Sequence, residues 1–360
     1  MKSNLSWILA LCLSGAGALA FGCGGSGSDE AGFSEVKTAG DAGQTEREDH
    51  DVPPPWDALP YEAVAADAVD PGPPYPIVLH HGFSGWKEIN ALGLHYFNGV
   101  AEDLIANGEP MVFETVVQPY DGTALRAEQL APQIDEILRI TGKSKVNIVA
   151  HSQGGLDSRY IISSLGYGDR VATLTTISTP HHGTALADAL FDNVPGWTDP
   201  ITDAIASVIG KSVLDVAGDA DLRASLKAMT EDTMMTSFNP ANIDSPEVKY
   251  FSYAGRSNDS DGIPDCNGSW FPDDTSKVDH IDALLSLTGS YLKDHGEYGG
   301  VNDGIVAVRS ARWGMFMGCF PADHFDEIGQ VNKTGPNPES GFDHKAFYRT
   351  VVSRIRERGY

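Results

Sequence analysis

Ser152 is the residue whose surroundings best suit a nucleophile. It lies in "VNIVAHSQGGLDSRY" (Val146–Tyr160), where a short apolar run breaks at the serine and restarts with helical character. That is the layout of a nucleophile elbow, usually G-x-S-x-G, here A-H-S-Q-G with Ala150 in the first position. A serine hydroxyl attacks a carbonyl only when a base takes its proton and an acid orients the base. The turn must be tight, so only small residues fit where strand and helix backbones nearly touch. Gly154 and Gly155 meet that need, and Ala150 adds a methyl that a slightly opened turn accepts. The plainer alternative is a chance match in an ordinary β-α turn. Upstream, "LHHGFSG" (Leu79–Gly85) has His-Gly where backbone N–H groups form an oxyanion hole. Phe83 and Gln153 are then the two backbone donors. The alternative there is a strand-end turn whose histidines merely solvate it.

Positioning these groups requires a sheet. "PIVLHH" (Pro76–His81), "MVFETVV" (Met111–Val117), "KVNIVA" (Lys145–Ala150) and "VATLTTIS" (Val171–Ser178) read as strands. Between them, Leu92–Ala106 and Thr123–Ile140 read as helices, and a further helix follows Ser152. Strands apolar on both faces and alternating with helices indicate a mostly parallel sheet covered by helices, an α/β class. No internal repeat is present, and residues 73–360 suffice for one domain of this class.

The N-terminal part has another character. Lys2 precedes the apolar stretch Trp7–Gly22, which is short and Gly-rich for a membrane span and ends at Cys23. Residues 1–23 are expected to be a signal peptide of the lipoprotein type, with Cys23 lipidated. A plain secretory peptide is the alternative, and both export the protein, to the outer membrane or cell surface or as a secreted chain. Residues 24–72 are expected to be a flexible acidic tether, since Gly24–Asp70 carries twelve Asp/Glu against two Lys/Arg. The net charge of −25 argues against nucleic acid, where basic residues must neutralise phosphates, and suits an uncharged substrate or a divalent cation. Beyond the signal region only Cys266 and Cys319 remain, a disulfide candidate in an oxidising compartment, two free thiols being the alternative.

Taken together, "YPIVLHHGFSG", "VNIVAHSQGGLDSRY", "TTISTPHHGT", "VNDGIV" and "DHFDEIGQ" resemble the secreted bacterial triacylglycerol lipases of the Pseudomonas and Burkholderia type. The resemblance runs in order through most of Tyr75–Gln330 and thins between about Asn193 and Val278. It implies an α/β-hydrolase fold, a helical lid, a structural calcium ion and, for some members, a dedicated folding chaperone. It further implies action as a monomer on a lipid ester at an oil-water or membrane interface.

In this fold the chain order of the reacting groups is Ser, Asp/Glu, His. Asp303, in "GGVNDGIVAV" just before an expected strand, is the acid. The histidines after Ser152 are His181, His182, His280, His295, His324 and His344, and the H-x-D-E around His324 matches the family's catalytic histidine. His181 and His182 precede any suitable acid and read as loop residues. The resemblance also implies calcium ligands in Asp326, the carbonyls of Gln330 and Thr334, and Asp279, with Asp282 as an alternative to Asp279. Calcium takes hard oxygen ligands, whereas a capping Asp at a helix start would need no ion. Ser257–Asp274 looks like an insertion, and its Asp259, Asp261 and Asp265 fit either a solvated acidic loop pinned by Cys266 or a second calcium repeat. Arg309 stands where the family's usual cysteine would be expected.

The lid is expected at about 195–218, where Ile201, Ile205, Val208, Ile209 and Val213 lie at helical spacing after Asp199-Pro200. The same pattern serves core packing. The expected activity is a Ser-His-Asp hydrolase of water-insoluble lipid esters, a triacylglycerol lipase. A short-chain carboxylesterase or polyester depolymerase would use the same residues. A non-catalytic hydrolase-fold surface protein would be favoured by loss of Ser152, Asp303 or His324, and none is missing.

Overall fold

The apolar runs become strands of one sheet in the computed structural model. It describes residues 72–83, 85, 88–89, 94–193, 222–257, 266, 279–330 and 336–360. Cys23, residues 24–71 of the tether, the expected lid, Thr334 and Asp259, Asp261 and Asp265 lie outside the described residues. The strands are β1 (Ile77–His80), β2 (Val112–Thr115), β3 (Val146–His151), β4 (Val171–Ile177), β5 (Lys249–Gly255) and β6 (Met315–Phe320). They form a 6-stranded sheet ordered β2-β1-β3-β4-β5-β6, each neighbouring pair parallel. Every residue of β1, β3 and β4 is buried, as expected for a parallel sheet covered on both faces.

The described helices are α1 (Val100–Ala106), α2 (Thr123–Thr141), α3 (Gly154–Ser163), α4 (Ala185–Asn193), α5 (Leu222–Ala228), α6 (Ser286–Asp294) and α7 (His344–Glu357), with shorter turns between. Strand alternation divides the core into two layers. Ile77 and Leu79 of β1 and Val149 of β3 face α1 and α7, meeting Leu104, Phe347, Val351 and Ile355. Val78 of β1 and Ile148 and Ala150 of β3 face α2 and α3, meeting Leu130, Ile134, Ile137 and Ile161. Both helix layers are amphipathic against the sheet, and burial of their apolar stripes is what holds them there.

Two expectations change. The helix expected from Leu92 starts at Val100 instead, while Leu94–His95 pairs antiparallel with Glu88–Ile89. The chain turns at Gly99, whose φ of 67° suits glycine and interrupts a helix passing through it. The strand expected after Asp303 is absent. Asp303 there accepts hydrogen bonds from the backbone of Ile305 and Val306 (2.9 and 2.7 Å), and that turn leads into the short helix Val308–Ala311. No helix among the described residues is long and apolar enough to cross a membrane.

Parallel strands bring all their carboxyl ends to one edge. His80 pairs with Ala150, and Ala150 with Thr176, so the segments leaving β1, β3 and β4 emerge side by side. In open α/β sheets this edge is where reacting groups gather.

Candidate active site

Ser152 follows β3 directly and has φ of 56°, a left-handed conformation that side-chain-bearing residues seldom adopt. The strain is held from several sides. Its N–H donates to the Ile177 carbonyl (2.9 Å), and its own carbonyl accepts from Thr179 Oγ1 (2.7 Å) and Gly155 N (3.1 Å). A Cβ on Gly154 would lie 2.6 Å from the His81 carbonyl oxygen, and one on Gly155 would lie 2.2 Å from Thr179 Oγ1. Glycine is therefore needed at both places. Ala150, by contrast, is a fully buried strand residue in the layer facing α2 and α3.

The sharp turn aims the hydroxyl at a histidine. Ser152 Oγ lies 3.0 Å from His324 Nε2, and His324 Nδ1 lies 2.8 Å from Asp303 Oδ2. The His324 backbone N–H also donates to the Asp303 carbonyl (3.0 Å), which ties the two loops together. All these residues are buried, Asp303 completely. Burial disfavours the Asp303 charge, but the His324 ring and the Val306 and Ile305 amides outweigh it and hold the carboxyl below its ordinary range. The sequence-named Ser152, Asp303 and His324 are thus brought into one hydrogen-bonded line.

The loop after β1 closes against the same serine. A Cβ on Gly82 would sit 2.5 Å from the Ser152 Cβ, so glycine is what lets this loop approach. Among the described residues, neither the Phe83 nor the Gln153 backbone N–H has a hydrogen-bond acceptor. The side chains of both are anchored: Phe83 packs edge-on against Tyr120 (4.9 Å between rings), and Gln153 Oε1 accepts from Ser225 Oγ (2.9 Å). His181 is buried with Nε2 2.9 Å from Thr176 Oγ1, and His182 meets Ser310, so both serve the loop after β4.

A buried scaffold that sequence reading missed shapes this loop. Arg126 of α2 is fully buried, donates through Nε to Asp157 Oδ2 (2.8 Å), and donates through Nη2 to the carbonyls of His81 and Gly82 (3.0 and 3.3 Å). His81 Nε2 accepts from Val117 N (3.0 Å), so its Nδ1–H donates to the Gly82 carbonyl (2.9 Å). Burial, then the Arg126 charge, push His81 well below the ordinary histidine range. On the other side Tyr96 Oη accepts from Gly82 N (3.0 Å) and donates to His151 Nδ1 (2.7 Å). His151 Nε2 then donates to Glu327 Oε2 (2.9 Å), whose Oε1 accepts from Ser178 Oγ (2.6 Å). Burial, then the neighbouring Asp303 charge, push Glu327 well above the carboxylate range. The signal available in sequence was polar residues inside apolar runs: His80, His151 and Asp157.

The fold matches known proteins. A family profile described as the alpha/beta hydrolase fold matches residues 75–206. A triacylglycerol lipase of Burkholderia plantarii is 29% identical over 331 residues, 82% of this chain and 90% of the relative. One of Vibrio cholerae is 27% identical over 304 residues, 79% of this chain and 88% of the relative. This chain has an α/β-hydrolase fold and is similar to bacterial triacylglycerol lipases. Among solved structures, the mature lipase of Bacillus licheniformis aligns with TM-score 0.54 at 23% identity, over 81% of this chain and 97% of that one. A metagenomic carboxyl esterase aligns with TM-score 0.54 at 15% identity, over 86% of this chain and 88% of that one. The hydrolase is a carboxylic ester hydrolase by these relationships.

Next to His324 the hydrolase gathers carboxylates. Asp282, Asp323 and Asp326 present oxygens within 4.8 Å of one another. Asp279 and Asp326 are bridged by the Asn337 amide, whose Nδ2 lies 2.7 Å from Asp279 Oδ1 and 2.9 Å from Asp326 Oδ2. Asp279 is 1% exposed, and its Oδ2 is buried with no hydrogen-bond partner. Burial, then Asp323 and the neighbouring carboxylates, push Asp279 up to about 8. Burial, then Asp326, push Asp323 up to about 7. Carboxylates crowded in this way favour a hard cation, so the residues present fit calcium. Of the two residues that sequence reading offered as alternatives, Asp282 belongs to the cluster and Asp279 is tied to it through Asn337, while Asp323 is an addition. The Gln330 side chain points elsewhere, donating to the Tyr96 carbonyl (2.8 Å). Cys266 and Cys319 form a disulfide that closes 53 residues and joins β6, the strand leading to His324.

Proposed function

We propose that the hydrolase cleaves water-insoluble lipid esters, triacylglycerols, through an acyl-enzyme on Ser152. Ser152 Oγ attacks the ester carbonyl carbon while its proton passes to His324 Nε2. Asp303 accepts from His324 Nδ1–H, holds the tautomer in which Nε2 is free, and stabilises the imidazolium. The N–H groups of Phe83 and Gln153 receive the oxyanion. Collapse breaks the ester C–O bond, and the proton on Nε2 goes to the departing alcohol. Water, deprotonated by His324, then attacks the acyl carbon; Ser152 leaves with the proton and the fatty acid is released. The observation that carries this reading is the line Ser152 Oγ–His324 Nε2 at 3.0 Å and His324 Nδ1–Asp303 Oδ2 at 2.8 Å.

The fit of Asp279, Asp282, Asp323 and Asp326 to a hard cation supports a calcium site, with the carbonyls of Gln330 and Thr334 as further ligands. Bound calcium supplies charge neutralisation and fixes the loop that carries His324. The sequence of residues 1–23 supports export with Cys23 as the lipidated residue. The test is initial rates on p-nitrophenyl esters from short to long chain and on emulsified triglyceride, with and without EDTA. Hydrolysis of long-chain esters and of the emulsion is expected. Activity confined to soluble short esters would overturn the triglyceride assignment, and no ester hydrolysis at all would overturn the mechanism.

A further inference from the structure

The Asn337 side chain has all its hydrogen-bonding groups engaged, and the arrangement is directional. Its Oδ1 accepts from the backbone N–H groups of Glu339 (2.9 Å) and Ser340 (3.1 Å), which fixes which end of the amide is oxygen. Both Nδ2 hydrogens therefore point the other way, onto Asp279 Oδ1 and Asp326 Oδ2. The Asn337 main chain is closed as well: its N–H donates to Phe342 O and its carbonyl accepts from Gly341 N, each at 2.7 Å. A tight loop thus holds the amide rigid. That loop runs straight into Asp343, which caps α7 by accepting from Lys345 N (3.0 Å) and Ala346 N (3.2 Å).

The consequence concerns the carboxylates. Each donor occupies one oxygen of an acid, so the acid cannot rotate, and at Asp279 the other oxygen is left buried without a partner. Groups that fix ligands in this way raise the affinity of a site without touching the ion. We propose that Asn337 is the ligand-orienting residue of the cation site, and that it couples calcium loading to the order of residues 336–343 and the start of α7. This rests on the calcium reading given above. Segments far apart in the sequence, around Asp279, around Asp326 and before α7, then respond together to one ion.

The experiment uses the full chain, stripped with EDTA and dialysed, with CaCl2 as the probe. Calcium affinity is measured by isothermal titration calorimetry for wild type and Asn337→Leu. Hydrogen exchange with and without calcium is followed by mass spectrometry. A loss of roughly 10- to 100-fold in affinity is expected for Asn337→Leu. Calcium-dependent protection of 336–343 should disappear in that variant while protection around Asp326 persists at saturating calcium. Asn337→Ser keeps an oxygen acceptor for the Glu339 and Ser340 amides but no amide to reach the acids. It should show the same loss, which covers the case in which the leucine variant fails to fold. Affinity within twofold of wild type in a folded variant overturns the role of Asn337 and leaves the calcium site standing. No calcium binding by wild type overturns the calcium reading itself and the inference with it.

Discussion

Chelation should destabilise the hydrolase more as pH rises, and the carboxylate cluster sets the size of the effect. Asp279 is raised from 3.8 to about 8 without an ion, so the fold binds a proton there that the unfolded chain has lost. Stability of the ion-free protein therefore falls as pH rises from the unfolded value through the folded one. At about 1.4 kcal/mol per pKa unit, holding Asp279 protonated while the unfolded chain is ionised costs the ion-free fold about 4 kcal/mol by pH 7. Asp323, raised to about 7, shares the same repulsion and is not added to it. A domain of this size has an unfolding entropy of ~0.6 kcal/mol/K, so the cost corresponds to roughly 7 °C in Tm. Thermal unfolding in calcium and in EDTA at about pH 5 and about pH 8 measures it. The gap between the two buffers should be small at the lower pH and several degrees at the higher. A gap that is the same at both values, or absent at both, would mean that the buried carboxylates do not set the stability of the ion-free protein.

Further predictions test the scaffold and the elbow. Arg126→Met leaves the Asp157 carboxylate buried without its cation and strips donors from the His81 and Gly82 carbonyls. Urea unfolding should show a loss of about 3–5 kcal/mol. Asp303→Asn should keep the fold and lower kcat by roughly 10⁴-fold on a p-nitrophenyl ester, because an amide no longer selects the tautomer with Nε2 free. Ala150→Gly restores the usual elbow signature at the expense of a fully buried strand methyl, so kcat should stay within about twofold while stability falls by roughly 1 kcal/mol.

Much of the fold was legible because a parallel sheet covered on both faces leaves uninterrupted apolar runs, and β1 through β4 lie within a residue or two of their expected bounds. Gly154 and Gly155 were legible for a steric reason, since the contacts a Cβ would make there are incompatible with any side chain. Ser152, Asp303 and His324 were named from motif and chain order, and the fold brings them within hydrogen-bonding distance. The start of α1 was misplaced because one glycine with positive φ outweighed an apolar pattern compatible with helix. The Tyr96–His151–Glu327–Ser178 network and the Arg126–Asp157 pair left no spacing to read. Their members lie on different elements and meet only across the sheet edge. Asn337 was hidden for the same reason: its role depends on Asp279 and Asp326, contributed by separate loops.

Ester hydrolysis by this protein rests on the reactivity of Ser152. Treating the hydrolase with a fluorophosphonate and measuring intact mass, followed by peptide mapping, should give one adduct per chain, located on Ser152. Ser152→Ala should take up no adduct and lose roughly 10⁶-fold in kcat on p-nitrophenyl esters. An adduct on another residue, or ester hydrolysis surviving in a folded Ser152→Ala protein at more than a hundredth of the original rate, would contradict it.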